Sequence, residues 1–271
     1  MMRVEIDPVL IEKAVFFACR EDASAECELH NAVDPLYPVG DDPRREEAFR
    51  AVFMHWFHRL GLHGQIADFL AERPELEGRV TRCLVREAPA ERDESVEVLA
   101  PRSDAGNAAR TLVIQITPQR LASGRLSCDA LRRELLHAAD IVNPRFAFRR
   151  DDLLGGSPRE NLVRDRYHVL WRACVEGRLL RERRLEQPVL DAILRAASRA
   201  FGSARTPEKI IEQGVAEFLR RDDVTHPDLL AAARDPALLC IPVAAASRTE
   251  AGTSNEPDDL FSHDALPLPV V

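Results

Sequence analysis

Within the stretch LRRELLHAAD, residues 131–140, Glu134 and His137 stand three positions apart, with Arg133 just before them and Asp140 just beyond. On a helix, residues at i, i+4 and i+7 leave one face, so Arg133, His137 and Asp140 form a stripe. Two histidines at i and i+4 with a glutamate at i+1 make a zinc site: the metal polarises a water and the carboxylate takes its proton. Here the glutamate and the second imidazole are present, and an arginine fills the first ligand position. A guanidinium stays protonated, offers no lone pair and repels a cation, so Arg133 cannot be a ligand. Zinc at this helix therefore needs a rebuilt set: His137 and Asp140 with a group from the next helix. His168 and Glu176 lead the candidates, with Glu160 and Asp165 behind them. In that arrangement Glu134 is the general base, and Asp140 is either a ligand or the group that orients His137. The same letters also suit a purely structural helix, in which Arg133 pairs with His137 or neighbouring acids and His137 pairs with Asp140.

The elements around this helix set its surroundings. Leu131, Leu135, Ala138, Ala139 and Val142 give it an apolar side opposite the polar stripe. Upstream, RVTRCLVREA, SVEVLAP and TLVIQITP are short, β-branched and separated by turn-rich segments. The short connections predict an antiparallel meander of about three strands, with TLVIQI the most buried. The first part of the chain reads helical. Asp7-Pro8 opens a helix to about Cys19, Phe49 to Leu60 recur at helical spacing before Gly61, and QIADFLAERP adds a short third. After Pro144, helices are expected over about 160–176, 188–201 and 206–220, opened by Pro188 and Thr206-Pro207 in the last two. The fold class is therefore α+β. A helical segment spans 1–75, a core of sheet plus motif helix and following helix 76–186, and further helices 187–246. Residues 247–271 are polar and Pro-rich and read as a disordered tail.

The order strand, strand, apolar strand, loop, E-x-x-H helix and second helix resembles the core of zincin-type metallopeptidases. LRRELLHAADIVNP followed by RYHVLWRACVEGRL is similar to a group of uncharacterised bacterial proteins carrying H-E-L-x-H-x-x-D and, later, R-Y-x-x-L-W and G-R-L. The matching positions are Glu134, Leu135, His137 and Asp140, then Arg166, Tyr167, Leu170, Trp171, Gly177, Arg178 and Leu179. The likeness covers about residues 110–185 and departs from the pattern at Arg133. It implies a zincin-like central helix beside a small sheet, a third ligand from the next helix, and a peptide lying along the sheet edge. With Arg133 in the ligand position, it implies a degenerate zinc-metallopeptidase-like protein, either an inactive pseudoenzyme or a hydrolase with an altered metal site. The competing reading is a non-catalytic interaction or scaffold protein. Either way the partner is a peptide or another protein.

Composition narrows the classes further. At 271 residues, 45% hydrophobic and 30% charged, the chain can bury a substantial core. A net charge of −8 disfavours a general nucleic-acid binder. No run approaches the roughly 20 apolar residues that cross a bilayer. MMRVEIDPVL lacks the features of a secretory leader, which with six dispersed cysteines predicts a cytoplasmic protein with reduced thiols.

Other constellations read as structural. His55 and His58 stand i, i+3 on a helix that also carries Phe53, Trp56 and Phe57, and with His63 they lack an acid or thiol to complete a metal set. Arg172, Arg178, Arg181, Arg183 and Arg184 are interleaved with Glu176, Glu182 and Glu186, the pattern of an ion-paired solvated face. Gly155-Gly156-Ser157-Pro158 reads as a loop and helix cap rather than a phosphate cradle. No G-x-S-x-G is present. Cys128, near the start of the motif helix, has no base identifiable beside it and reads as a packing residue.

Overall fold

The structure, a computed structural model, describes residues 2–37, 43–99, 110–184, 190–202 and 207–240. Four strands form one sheet: β1 (Arg3–Ile6), β2 (Val80–Glu87), β3 (Ser95–Leu99) and β4 (Arg110–Ile116). They lie in the order β1-β2-β4-β3, with β1 on β2 and β2 on β4 parallel, and β3 on β4 antiparallel. The class is α+β with a small sheet, as the sequence implies, but the antiparallel meander does not form. Two of the three pairings are parallel, and a fourth strand enters from the N-terminal helical segment, just ahead of the helix opened by Asp7-Pro8.

The reason lies in the strands themselves. RTLVIQI is apolar on both faces in its middle, so it gains most between two neighbours, whereas SVEVL presents Glu97 and tolerates an edge. Residues 88–94 between β2 and β3 are long enough to carry the chain past one strand position, roughly 10 Å at two strand spacings. Adjacency in sequence therefore does not force pairing. The register puts Cys83, Leu112 and Val98 in one row, and Ile6, Val85, Ile114 and Val96 in the next, on the same face. Cys83, Val85, Leu112 and Ile114 are at most 1% exposed, and Arg3, Glu5, Arg82 and Glu97 stand on the other face.

Ten helices accompany the sheet among the described residues, the first and the sixth of them lying against its strands. They are α1 (Pro8–Cys19), α2 (Ala23–Val33), α3 (Pro43–Arg59), α4 (Leu62–Ala71), α5 (Pro118–Ala122), α6 (Asp129–Val142), α7 (Pro158–Arg181), α8 (Leu190–Phe201), α9 (Glu208–Arg220) and α10 (His226–Arg234). Local chemistry fixes several ends. Asp7 accepts from the Val9 amide with Pro8 at the first position of α1, and Gly61 turns α3 into α4 at φ 71°. Ser157 and Glu160 close a capping box ahead of α7, with Pro158 at its first position, so the Gly-Gly-Ser-Pro stretch is a loop and cap as expected. α10 has no counterpart among the expected helices. Its capping box, Thr225 with Asp228, was available as a signal. One hydrophobic core runs from Leu10 to Leu239. Pro188 and Thr206, expected at helix starts, and the tail from 247 lie outside the described residues.

Candidate functional site

α6 packs its buried side, including Leu131, Leu135, Ala138, Ala139 and Val142, into the core and lies against β3. α7 crosses it in the opposite sense. Arg132, early in α6, donates to the Arg184 carbonyl just past α7 at 2.9 Å, while Asp140, late in α6, meets the middle of α7. The polar stripe of α6 thus faces α7.

Asp140 is 3% exposed and accepts from Trp171 Nε1 at 2.8 Å and from the two terminal nitrogens of Arg178 at 2.7 and 2.5 Å. This is a bidentate fork with a third donor, which satisfies a buried carboxylate almost completely. Asp140 therefore does not pair with His137 directly. It fixes Trp171, whose ring meets the His137 imidazole edge to face with centroids 4.3 Å apart. Trp171 is stacked in turn by Phe146 and Phe148 at 5.4 and 5.6 Å.

Arg133 reaches Glu176, not His137. Its Nε lies 2.9 Å from Oε1 of that carboxylate, and Arg172 Nε stands 3.7 Å from the same oxygen. Neither contact is aligned as a hydrogen bond. Glu176 Oε1 and Oε2, Arg133 Nε, Arg172 Nε and His137 Nδ1 are five of the seven buried side-chain polar atoms without a hydrogen-bond partner among the described residues. Unmet hydrogen-bonding capacity is thus concentrated in this seam. Burial raises the Glu176 carboxyl above its ordinary range against the pull of Arg133 and Arg172.

His137 is half-buried, and its pKa is pushed down to about 3, first by burial and then by Arg178, His168, Arg133 and Arg172 around it. It is a neutral imidazole at any ordinary pH. Glu134 reaches water, yet the protein packed around it raises its carboxyl, helped by Glu97 on β3 and opposed by Arg133 and Arg172. His168 is exposed on α7, its pKa lowered by burial of the ring and by Arg164. Glu160 is committed to the cap of α7, its oxygen 3.0 Å from the Ser157 amide, and Asp165 is exposed.

As they stand, these residues do not fit a dication. Asp140 and Glu176, the buried acids of this seam, are each held by guanidinium groups, Asp140 by Arg178 and Glu176 by Arg133. Among the described residues no group of three or more His, Cys, Asp or Glu side chains converges as a ligand set. A cavity of about 760 Å³ lies elsewhere, between α1 and α3, and shares no residue with the seam.

Several other groups resolve plainly. His55, His58 and His63 are exposed, with the rings of His58 and His63 4.4 Å apart. The arginine cluster is ion-paired, but mostly across elements and not along its own helix: Arg178 to Asp140, Arg181 to Asp222, and Arg184 to Glu72. Cys128 is half-buried at the start of α6. A chain that nothing in the residue spacing signals runs from buried Tyr167, whose Oη lies 2.7 Å from His226 Nδ1, to Asp152, 3.3 Å from His226 Nε2. Tyr167 is fully buried, and burial pushes its phenol up and the His226 imidazole down. Comparison with protein-family models, with curated proteins and with solved structures returns no match.

Proposed function

We propose that the chain is a metallopeptidase-like scaffold in which the Arg133 guanidinium stands where a zinc ion would, so that it holds a peptide or protein partner without hydrolysing it. The observation that carries this reading is the 2.9 Å approach of Arg133 Nε to Glu176 Oε1. It brings the first-ligand position of the E-x-x-H helix onto an acid of the following helix, with His137 one turn along. Arginine Nε and histidine Nε2 are both four bonds from Cα. An imidazole at position 133 would place its nitrogen near the present Nε. Two zinc ligands at about 2.0–2.2 Å in tetrahedral geometry are roughly 3.4 Å apart, close to the separation seen. A guanidinium in that place neutralises the buried carboxylate as a cation would, but it cannot polarise a water, and Glu134 is left with no activated nucleophile to deprotonate. β3, at the end of the described strand order and in contact with α6, is the edge along which an extended chain would add.

The test is Arg133→His on the full chain, with zinc content and circular dichroism measured together. The expected result is near-stoichiometric zinc in the variant, none in the parent, and loss of that zinc when His137→Ala or Glu176→Gln is added. A folded Arg133→His protein that takes up no zinc would overturn the reading.

A further inference from the structure

The 760 Å³ cavity between α1 and α3 is a groove with a row of aromatic rings along its floor. Tyr37 meets Phe49 edge to face at 5.3 Å, Phe49 stacks on Phe53 at 6.5 Å, and Phe53 touches Phe16 at 5.2 Å. Three of the nine large apolar side chains that stand exposed among the described residues, Val9, Tyr37 and Met54, line this one groove. Ile6, at the end of edge strand β1, closes one side. The charged groups on the rim, Glu12 and Glu46 against Arg45 and Arg50, balance, so any recognition here is apolar. Contiguous exposed apolar surface of this kind marks a binding site.

We infer that the occupant of the groove beside Tyr37, Phe49 and Phe53 is this chain's own segment 260–271, LFSHDALPLPVV. Residues 247–259 contain no large apolar side chain, whereas 260–271 hold Leu260, Phe261, Leu266, Leu268, Val270 and Val271. A polar spacer followed by an apolar anchor is not the composition of a segment that stays in water throughout. Pro267 and Pro269 alternate with Leu266 and Leu268, and prolines fix φ near −65°, so little backbone freedom is lost on docking in an aromatic-lined groove. From Cys240 to Leu260 an extended chain spans roughly 65 Å, ample against a radius of gyration of about 18 Å for a domain of this size. Tethering supplies an effective concentration in the millimolar range, so a contact too weak to hold a free peptide suffices.

Photo-crosslinking of the full chain tests this, with p-benzoylphenylalanine in place of Tyr37 and, separately, of Met54, both exposed positions. The expected products are monomers crosslinked to residues 260–271, with a yield that falls by about tenfold when Leu266→Asp and Leu268→Asp are introduced together. Crosslinks that avoid 260–271, that join two copies instead of one, or that are indifferent to the paired substitution would each overturn the inference.

Discussion

His137 is the residue whose chemistry is most altered by its place in the fold. Its pKa falls from 6.5 to about 3, with burial and four surrounding cationic or ionisable groups as causes, so the unfolded chain takes up a proton that the folded one refuses. The sign follows from linkage. The native state is favoured in full above pH 6.5, loses up to about 1.4 kcal/mol per pH unit as pH falls toward the folded value, and levels off below it. Glu134 and Glu176 act in the opposite sense, since raised carboxyl pKa values favour the folded state as pH falls. Comparing the parent with His137→Gln cancels their contribution. Urea unfolding at pH 7 and pH 5 should show a smaller loss of stability in the variant, and equal losses would mean that the imidazole is not shielded as described. At this scale the sequence was half legible. The spacing of Arg133, His137 and Asp140 placed all three on one stripe, because that follows from helix geometry alone. The partners did not follow, since Trp171, Arg178 and Glu176 reach the stripe only through the crossing of a second helix, some 30 to 40 residues on.

Helix α7 joins most of the molecule, and its closest neighbour explains an otherwise unremarkable glycine. A Cβ on Gly177 would lie 1.9 Å from the Leu219 carbonyl oxygen, which is backbone at the end of α9 and cannot swing aside. Gly177→Ala should therefore force the two helices apart and cost several kcal/mol, beyond the roughly 1–3 kcal/mol usual for overpacking, even though alanine is the better helix former. A drop in melting temperature of only a degree or two would show that the helices are not in contact there. Other side chains tie α7 to its neighbours. Asp140, Trp171 and Arg178 tie α6 to α7, and Arg166 donates to the Ala200 carbonyl at the end of α8 at 2.9 Å. Helix caps such as Ser157-Pro158 were readable because they are local hydrogen-bond chemistry. The direction of a strand pairing was not, because β2 and β4 are adjacent through packing on a shared apolar face and not through the turn that follows β2.

The whole molecule depends on its first strand and helices more than a division at residue 75 suggests. β1 supplies the outer parallel pairing of the sheet, and Leu10, Ala14, Val15, Phe57 and Phe69 are fully buried in the same core as Leu112, Ile114 and Leu135. Removing residues 1–75 would uncover that face. Each fully buried Leu, Val or Phe contributes roughly 1.5–3 kcal/mol, and a domain's net stability is about 5–15 kcal/mol. The loss of four such side chains, Leu10, Val15, Phe57 and Phe69, is worth roughly 6–12 kcal/mol, comparable to that whole margin. It would also strip the Glu72 carboxylate from Arg132 and Arg184, and the Glu182 carboxylate of its contacts with Arg73 at 2.9 and 2.7 Å. A fragment of residues 76–240 should therefore keep helical far-ultraviolet dichroism while losing the near-ultraviolet signal of Trp171, bind a hydrophobic dye, and melt without a cooperative transition. A sharp thermal transition with a native near-ultraviolet spectrum would mean that the sheet and the α6–α7 pair stand alone. Residues 76–240 would then be an independent unit with the N-terminal helices as an addition.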